Sequence, residues 1–225
     1  MPIPRPYPNE TADWRAARDE LLAAEVALRA QIERVAALRR QLPTGPPLAE
    51  DYLFTQLTDD GPAPVALSEL FTVGDTLVVY NLMFSPGMKQ ACPLCTGMLD
   101  GLDAQAEHIA QNTDLVVVAS SPIERIRAFA DGRGWSSLRL LSSAGTNWQR
   151  DYLAESDKGY PWPMATVFVR RATGIHLFWS SELFYASNPD GDTRHVDQLW
   201  PLWNVLDLTP EGRGAFYPQL DYGQP

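Results

Sequence analysis

The sequence feature that most constrains the fold is the segment Cys92-Pro93-Leu94-Cys95, which holds the only two cysteines in the chain. A nearly continuous apolar run over residues 77–84 precedes it, as is typical of a strand that is covered on both faces. Helix-forming sequence follows from about residue 96 to residue 111. The thiol pair therefore lies at a strand-to-helix turn, where a CxxC motif indicates redox chemistry.

The order of elements around this segment indicates the fold. The pattern predicts strands at 76–84, 115–120 and 137–141, helices at 96–111, 122–131 and 147–154, a hairpin of strands at 164–169 and 174–179, and a last helix at 196–206. A parallel strand–helix–strand half followed by an antiparallel hairpin and a helix is the thioredoxin arrangement. This is an α/β fold in which helices flank a central mixed sheet. It places the CxxC at the carboxyl end of the first core strand, where open α/β sheets bind ligands.

The N-terminal part of the chain predicts one long helix. Residues 11–42 contain no proline or glycine and are rich in alanine, leucine, glutamate and arginine, and Asn9 or Thr11 supplies the N-cap. Apolar residues recur in it at heptad spacing, namely Trp14, Leu21, Leu28, Val35 and Leu42. The helix either lies on its own domain or pairs with a second subunit. Its length favours pairing, and we expect a homo-oligomer such as a dimer.

The remaining signals before the core are short. Prolines and a glycine at 43–47 end the long helix, residues 51–55 predict a strand, 59–62 a turn and 67–71 one helical turn. We therefore predict an arm and oligomerisation helix over residues 1–47 and a thioredoxin-like domain over 48–225.

Composition narrows the class of protein. A net charge of −10 repels phosphate backbones and anionic lipid, so we expect neither nucleic acid nor a membrane surface as a partner. No apolar run approaches the roughly 20 residues that cross a bilayer, and residues 1–8 lack a signal-peptide pattern, which predicts a cytoplasmic protein. The three histidines, His108, His176 and His195, have no ligand spacing, and structural zinc needs about four ligands. We predict no metal and no other cofactor.

The two thiols are predicted to have different catalytic roles. The thiolate is the reactive form of cysteine, and unpaired N–H groups and the dipole at a helix N-terminus stabilise it. Cys92 precedes Pro93, a residue suited to the first helical turn, and is therefore the predicted nucleophile. Cys95 follows one turn later and is the predicted resolving thiol. The alternative is a pair of neighbouring thiols without catalytic function.

Pro163 is the next candidate site residue, because it stands just before the first hairpin strand. In thioredoxin folds a cis-proline at this place lies against the redox sulfurs, and the residue before it offers backbone hydrogen bonds to substrate. We therefore predict that Trp162 and Pro163 bind substrate. An ordinary trans-proline is the alternative, since most X–Pro bonds are trans, and Pro161 competes for the assignment. Trp148 is a weaker candidate for the same groove.

Further motifs accompany the CxxC over nearly the whole chain. They are Trp14, Ala17-Arg18, Leu21-Leu22, Arg39-Arg40-Gln41-Leu42-Pro43, Asp51-Tyr52-Leu53-Phe54, Tyr80, Met83-Phe84, Leu115-Val116-Val117-Val118-Ala119, Gly134-Trp135 and Leu206-Asp207-Leu208-Thr209-Pro210-Glu211-Gly212-Arg213. With these motifs the chain resembles the bacterial thioredoxin-like proteins grouped as DUF899, which are related to the AhpC/TSA proteins. The resemblance implies a thioredoxin fold and no settled activity.

Departures from better-known relatives shape the functional hypotheses. Peroxiredoxins carry a Pro-x-x-x-Thr-x-x-Cys loop, but Ser85 and Lys89 stand at its proline and threonine positions here. Thioredoxin has tryptophan before its first cysteine, where this chain has Ala91. The leading hypothesis is a thiol–disulfide oxidoreductase that acts on protein or small-molecule disulfides. The alternatives are a redox-sensing or interaction protein without turnover and, with less support, a thiol peroxidase.

Overall fold

The computed structural model describes residues 6–188 and 193–223. It divides into two compact units with the boundary between Pro43 and Thr44. Residues 44–48 belong to the second unit because they pair with its last strand, where Leu48 donates its N–H to the Ile175 carbonyl oxygen over 3.0 Å. Gly45 is required in this segment, since a Cβ there would collide with the carbonyl of Leu177.

The first unit contains one long helix, α1 (Ala12–Arg40), as predicted. Thr11 is its N-cap, and the Thr11 hydroxyl accepts a hydrogen bond from the Trp14 N–H over 3.2 Å. Asp13 lies in the first turn and Arg39 and Arg40 in the last, which are the charges that the helix dipole favours at each end. No residue of α1 is buried, and its heptad residues Leu21 and Leu28 are 51% and 61% exposed. An apolar stripe therefore stays on the surface of this helix.

The second unit is built on a seven-stranded sheet. Its strands are β1 (Leu53–Thr58), β2 (Gly61–Ala66), β3 (Thr76–Asn81), β4 (Asp114–Ala119), β5 (Arg139–Ser142), β6 (Ala165–Arg171) and β7 (Gly174–Ser180). They lie in the order β2-β1-β5-β4-β3-β6-β7. β3 is parallel to β4 and antiparallel to β6, β4 is parallel to β5, and β6 and β7 form the hairpin. The order β4-β3-β6-β7 with these directions is that of the thioredoxin fold, which confirms the predicted α/β class.

Strand β2 is absent from the sequence prediction because it contains Pro62 and Pro64, which cannot donate ladder hydrogen bonds. It forms because it is the edge of the sheet and pairs only with β1. Proline is tolerated at an edge, where one side of the strand has no partner.

Five further α-helices belong to the described part of this unit. They are α2 (Pro93–Asp103), α3 (Ala106–Ile109), α4 (Ile123–Arg133), α5 (Trp148–Asp151) and α6 (Pro201–Leu206). The helix expected after the CxxC starts at Pro93 rather than near residue 96, and it is divided into α2 and α3. The last predicted helix is also interrupted. Pro201 begins α6 because the residue before a proline is held extended, and Trp200 has φ −125° and ψ 99°.

Two groups of buried side chains form the core of this unit. One contains Cys92 and Cys95 together with Trp200 and Trp203 from the C-terminal part of the chain. The other includes Trp148, packed against Tyr52, Phe54 and Phe168. Trp148 is fully buried, and its Nε1–H donates to Asn81 Oδ1 over 2.7 Å. The prediction that Trp148 lines a substrate groove is therefore wrong.

Candidate active site

The CxxC lies beyond the carboxyl end of β3, at the start of α2. Cys92 is the N-cap of α2 and Pro93 its first residue. The Cys92 N–H donates to the Met83 carbonyl oxygen over 3.0 Å, which ties the motif to the segment that follows β3. Thr96 donates both its N–H and its hydroxyl to the Cys92 carbonyl oxygen, over 3.0 and 2.9 Å. The backbone of Cys92 is thus held on both sides.

Arg125 of α4 holds the loop that leads into the motif. Its guanidinium donates to the carbonyl oxygens of Ser85, Pro86, Met88 and Lys89. The guanidinium also stacks over the Phe84 ring, 4.3 Å from its centroid. The planar fork of arginine makes several such bonds at once, which the single ammonium of lysine cannot match. No sequence pattern singles out Arg125, because its partners are backbone carbonyls.

Replacing Arg125 with alanine is expected to destabilise the fold by about 2–3 kcal/mol, since hydrogen bonds to a charged group are lost and carbonyls lose their donor. Arg125→Lys should recover part of that loss. Denaturant unfolding measures both changes. Arg127→Ala is the matched control, because Arg127 on the same helix forms an exposed pair with Asp131 and its loss should cost less than about 1 kcal/mol. Equal losses for the Arg125 and Arg127 variants would contradict the assigned role.

The two thiols are unbonded and buried, and they lie close enough for a hydrogen bond between the sulfurs. That bond from the Cys95 side chain is the main reason why the pKa of Cys92 falls to about 6, against the effect of burial. The backbone N–H groups of Cys95 and Leu94 and the Tyr217 hydroxyl also stabilise the thiolate. At neutral pH Cys92 is therefore mostly thiolate, in keeping with its predicted role as the nucleophile.

The environment of Cys95 has the opposite effect on that thiol. Complete burial raises the pKa of Cys95 well above that of an ordinary thiol, and the neighbouring Cys92 raises it further. Hydrogen bonds from the Tyr80 hydroxyl and the Met83 N–H offset only part of this rise. Cys95 therefore keeps its proton while Cys92 is charged, which is the division that the predicted roles require.

A cavity of about 560 Å³ opens onto the thiol pair. All four predicted site residues, Cys92, Cys95, Trp162 and Pro163, line it. Aromatic residues are the largest group in its walls, namely Tyr80, Trp162, Phe184, Trp200, Trp203, Phe216 and Tyr217. The volume lies within the range of about 300–1,000 Å³ that is usual for small-molecule sites.

The backbone at Trp162 differs from the expectation. Its N–H donates to the Ala154 carbonyl oxygen over 2.7 Å, and its carbonyl accepts from the Met164 N–H over 3.0 Å. No peptide bond within residues 6–188 and 193–223 is cis, so the bond before Pro163 is trans. The expected backbone hydrogen bonds to substrate are thus already made within the chain, because residues 154–162 fold back on themselves. Trp162 and Pro163 both line the cavity.

The C-terminal part of the chain forms one wall of the cavity and is held in place at two points. His195 donates from Nε2 to the Pro163 carbonyl oxygen over 2.8 Å. Arg213 contacts Asp197 and Asp207 over 2.6 and 2.7 Å, and Arg194 pairs with the same two carboxylates. These contacts to Arg213 lower the pKa of Asp207. Asp207 and Arg213 of the motif 206–213 therefore help to hold this wall in place.

The other two histidines, His176 and His108, do not line the cavity. His176 on β7 bonds to the Thr173 hydroxyl and the Gly45 carbonyl oxygen, and His108 lies on α3. Within residues 6–188 and 193–223, no group of three or more His, Cys, Asp or Glu side chains is arranged to hold a metal ion. The helices of that part of the chain include none long and apolar enough to span a membrane.

The sheet order, with the CxxC at the start of α2, defines a thioredoxin-fold protein with a two-cysteine site. The model of the family described as "Bacterial protein of unknown function (DUF899)" matches residues 4–222. The chain belongs to this family, as its motifs indicate.

Comparisons with individual proteins give more distant likenesses. Among proteins with curated descriptions, none matches this sequence. The structure is similar to AhpC of Enterococcus faecalis, with 13% identity, a TM-score of 0.47, and coverage of 78% of this chain and 98% of that one. It is similar to reduced Prx3 of Vibrio vulnificus in complex with hydrogen peroxide, with 14% identity, a TM-score of 0.47, and coverage of 62% and 87%. It is also similar to peroxidoxin BcpB of Mycobacterium tuberculosis, with 20% identity, a TM-score of 0.44, and coverage of 71% of this chain and 94% of that one.

Proposed function

We propose that the protein is a thiol–disulfide oxidoreductase with Cys92 as the nucleophile and Cys95 as the resolving thiol. The observation that carries the proposal is the difference between the two thiols. The pKa of Cys92 is lowered to about 6, while that of the neighbouring Cys95 is raised. The cytoplasmic location inferred from the sequence remains a prediction.

The reaction balances within the two thiols and the substrate disulfide. The Cys92 thiolate attacks one sulfur of the substrate, the substrate S–S bond breaks, and the other sulfur leaves as a thiolate. Cys95 then loses its proton and attacks the Cys92 sulfur, which forms the Cys92–Cys95 disulfide and releases the second substrate thiol. Substrate is reduced by two electrons, and a thiol reductant restores the dithiol.

Replacing Cys92 with serine is expected to abolish disulfide reduction, whereas Cys95→Ser should arrest the reaction at a mixed disulfide on Cys92. The measurements are reduction of insulin and of small aryl disulfides, and intact mass after a single turnover. Unchanged activity in Cys92→Ser would refute the proposal. Recovery of the mixed disulfide on Cys92, and not on Cys95, assigns the roles.

A peroxide is the second candidate substrate because of one contact. The Tyr217 hydroxyl bonds to the Cys92 sulfur, and a donor beside a thiolate also stabilises the oxygen that leaves when a peroxide is attacked. Exposed Lys89 at the peroxiredoxin threonine position disfavours this reaction. Consumption of hydrogen peroxide by the reduced protein and by Cys92→Ser decides between the two substrates.

We also propose that α1 joins two copies of the chain. Its support is the exposed heptad stripe, since a helix with an uncovered apolar stripe gains stability when a second helix covers it. The expected result is a dimer for the wild type and a monomer for Leu28→Glu, which puts a charge into the stripe. Ala30→Glu, off the stripe on the same helix, is the control. Sedimentation velocity over a range of concentrations measures the state, and a monomeric wild type would rule out the pairing.

A further inference from the structure

Access to Cys92 limits what the site accepts. Only 8% of Cys92 is exposed, and Cys92 lines the cavity of about 560 Å³. A disulfide in a folded protein would have to place its sulfurs inside that cavity with the surrounding chain still attached. A small molecule meets no such obstacle.

The backbone edge beside the cavity is also closed to an extended peptide. The Trp162 N–H is bonded to Ala154, and the Pro163 carbonyl oxygen is bonded to His195. Peptides that bind as an added strand gain affinity from main-chain hydrogen bonds of this kind. Here the donor that such a peptide needs is already used.

The chemistry of the walls favours neutral, apolar groups. Aromatic side chains predominate, and Phe184 lies between Trp162 and His195, with ring centroids 5.0 and 4.9 Å away. The charged lining residues Arg194 and Asp197 are paired with each other, and Asp207 and Arg213 complete the group with balanced charge. A charged substrate would lose its hydration here, and the opposite charges that it could bind are already paired with each other.

We propose that the substrate is a small, neutral, aromatic disulfide, rather than a disulfide in a protein or a charged thiol compound. This rests on the proposed function, because it names the substrate of the same two thiols. The Cys92 thiolate attacks one sulfur of the molecule in the cavity, and the second aryl sulfur leaves as a thiolate. Attack by Cys95 forms the Cys92–Cys95 disulfide and releases the first aryl thiol.

The test compares probes in single turnover with the reduced full-length protein. Neutral bis(4-nitrophenyl) disulfide and dianionic 5,5′-dithiobis(2-nitrobenzoate) differ only in the two carboxylates, and insulin supplies a protein disulfide. Each rate is divided by the rate with dithiothreitol to remove intrinsic reactivity. High salt screens the net charge of −10, which would otherwise repel the dianion by itself. We expect the normalised rate of the neutral probe to exceed those of the dianion and insulin at least tenfold.

Two neighbouring variants link the preference to the cavity. Phe184→Ala removes part of the aromatic wall and should lower the rate with the neutral probe about three- to tenfold, without changing alkylation of Cys92 by iodoacetamide. Leu183→Ala is the matched control, because Leu183 is 56% exposed and lies outside the lining. Circular dichroism verifies that both variants are folded, and Phe184→Leu, which restores part of the apolar surface, should recover part of the rate.

The outcomes separate the substrate class from the reaction. If the wild type reacts with every disulfide no faster than Cys92→Ser, the proposed oxidoreductase function fails. If the wild type exceeds Cys92→Ser but reduces insulin or the dianion as fast as the neutral probe, only the substrate class is overturned. An unchanged rate in Phe184→Ala overturns it as well.

Discussion

Replacing Cys95 with alanine is expected to raise the pKa of Cys92 from about 6 towards the ordinary thiol value of about 8.5. The hydrogen bond from the Cys95 side chain is the largest stabilising contact of the Cys92 thiolate, and alanine removes it. Cys95→Ser keeps a hydroxyl donor and should give an intermediate value. Alkylation rates of Cys92 between pH 4 and pH 10 measure the midpoint, because only the thiolate reacts.

The sign of the pH effect follows from the direction of the shift. Deprotonation of Cys92 is favoured in the fold, so its reactivity is retained down to about pH 6 in the wild type and is lost below that. In Cys95→Ala the loss should occur at higher pH. Tyr217→Phe is the control for a weaker contact, because its hydroxyl stabilises the thiolate less than the Cys95 side chain does and its removal should shift the midpoint less. A midpoint that is the same in Cys95→Ala and the wild type would contradict this account.

Replacing Trp148 with phenylalanine is expected to lower the free energy of unfolding by about 2–4 kcal/mol. Part of the loss is a cavity among Tyr52, Phe54 and Phe168, because Trp148 is fully buried and touches all three. The other part is the buried Asn81 Oδ1, which loses its donor. Denaturant unfolding measures the change.

The same variant distinguishes a structural tryptophan from one in the site. As long as the variant is folded, Trp148→Phe should leave the pH midpoint of Cys92 alkylation unchanged, since Trp148 does not line the cavity. Trp162→Phe is the matched comparison, because Trp162 is half-buried and lines the cavity. It should change stability by less than about 1 kcal/mol and change substrate turnover. A larger stability loss in Trp162→Phe than in Trp148→Phe would reverse the assignment of the two residues.

Local signals account for the elements that sequence reasoning predicted well. The apolar run that becomes β3, the proline at the start of α2 and the glycine-free stretch of α1 each act on neighbouring residues. The sequence predicts an element less accurately where a partner distant in the chain decides the outcome. β2 contains two prolines and forms only because it lies at an edge beside β1, and Trp148 at the start of α5 is buried in the core by residues far from it in the chain.

The candidate site shows the same limit. Cys92, Cys95, Trp162 and Pro163 are all found at one cavity, but Tyr217, His195 and Arg125 lack a sequence signal. Each acts on a group distant in the chain: the Cys92 sulfur, the Pro163 carbonyl oxygen and the carbonyls of 85–89. Tyrosines, histidines and arginines are scattered through the chain, and nothing in their spacing identifies these three.

The sequence alone establishes that a thiol pair caps a helix after a buried strand, because caps, prolines and apolar runs act over a few residues. It also establishes that the fold is thioredoxin-like, since the order of strands and helices admits that arrangement. That the thiols face an aromatic cavity, and that the Trp162 backbone is already hydrogen-bonded, follows from the packing of the folded chain. Those features depend on the C-terminal part of the chain packing against Cys92, which is a contact between segments far apart in sequence.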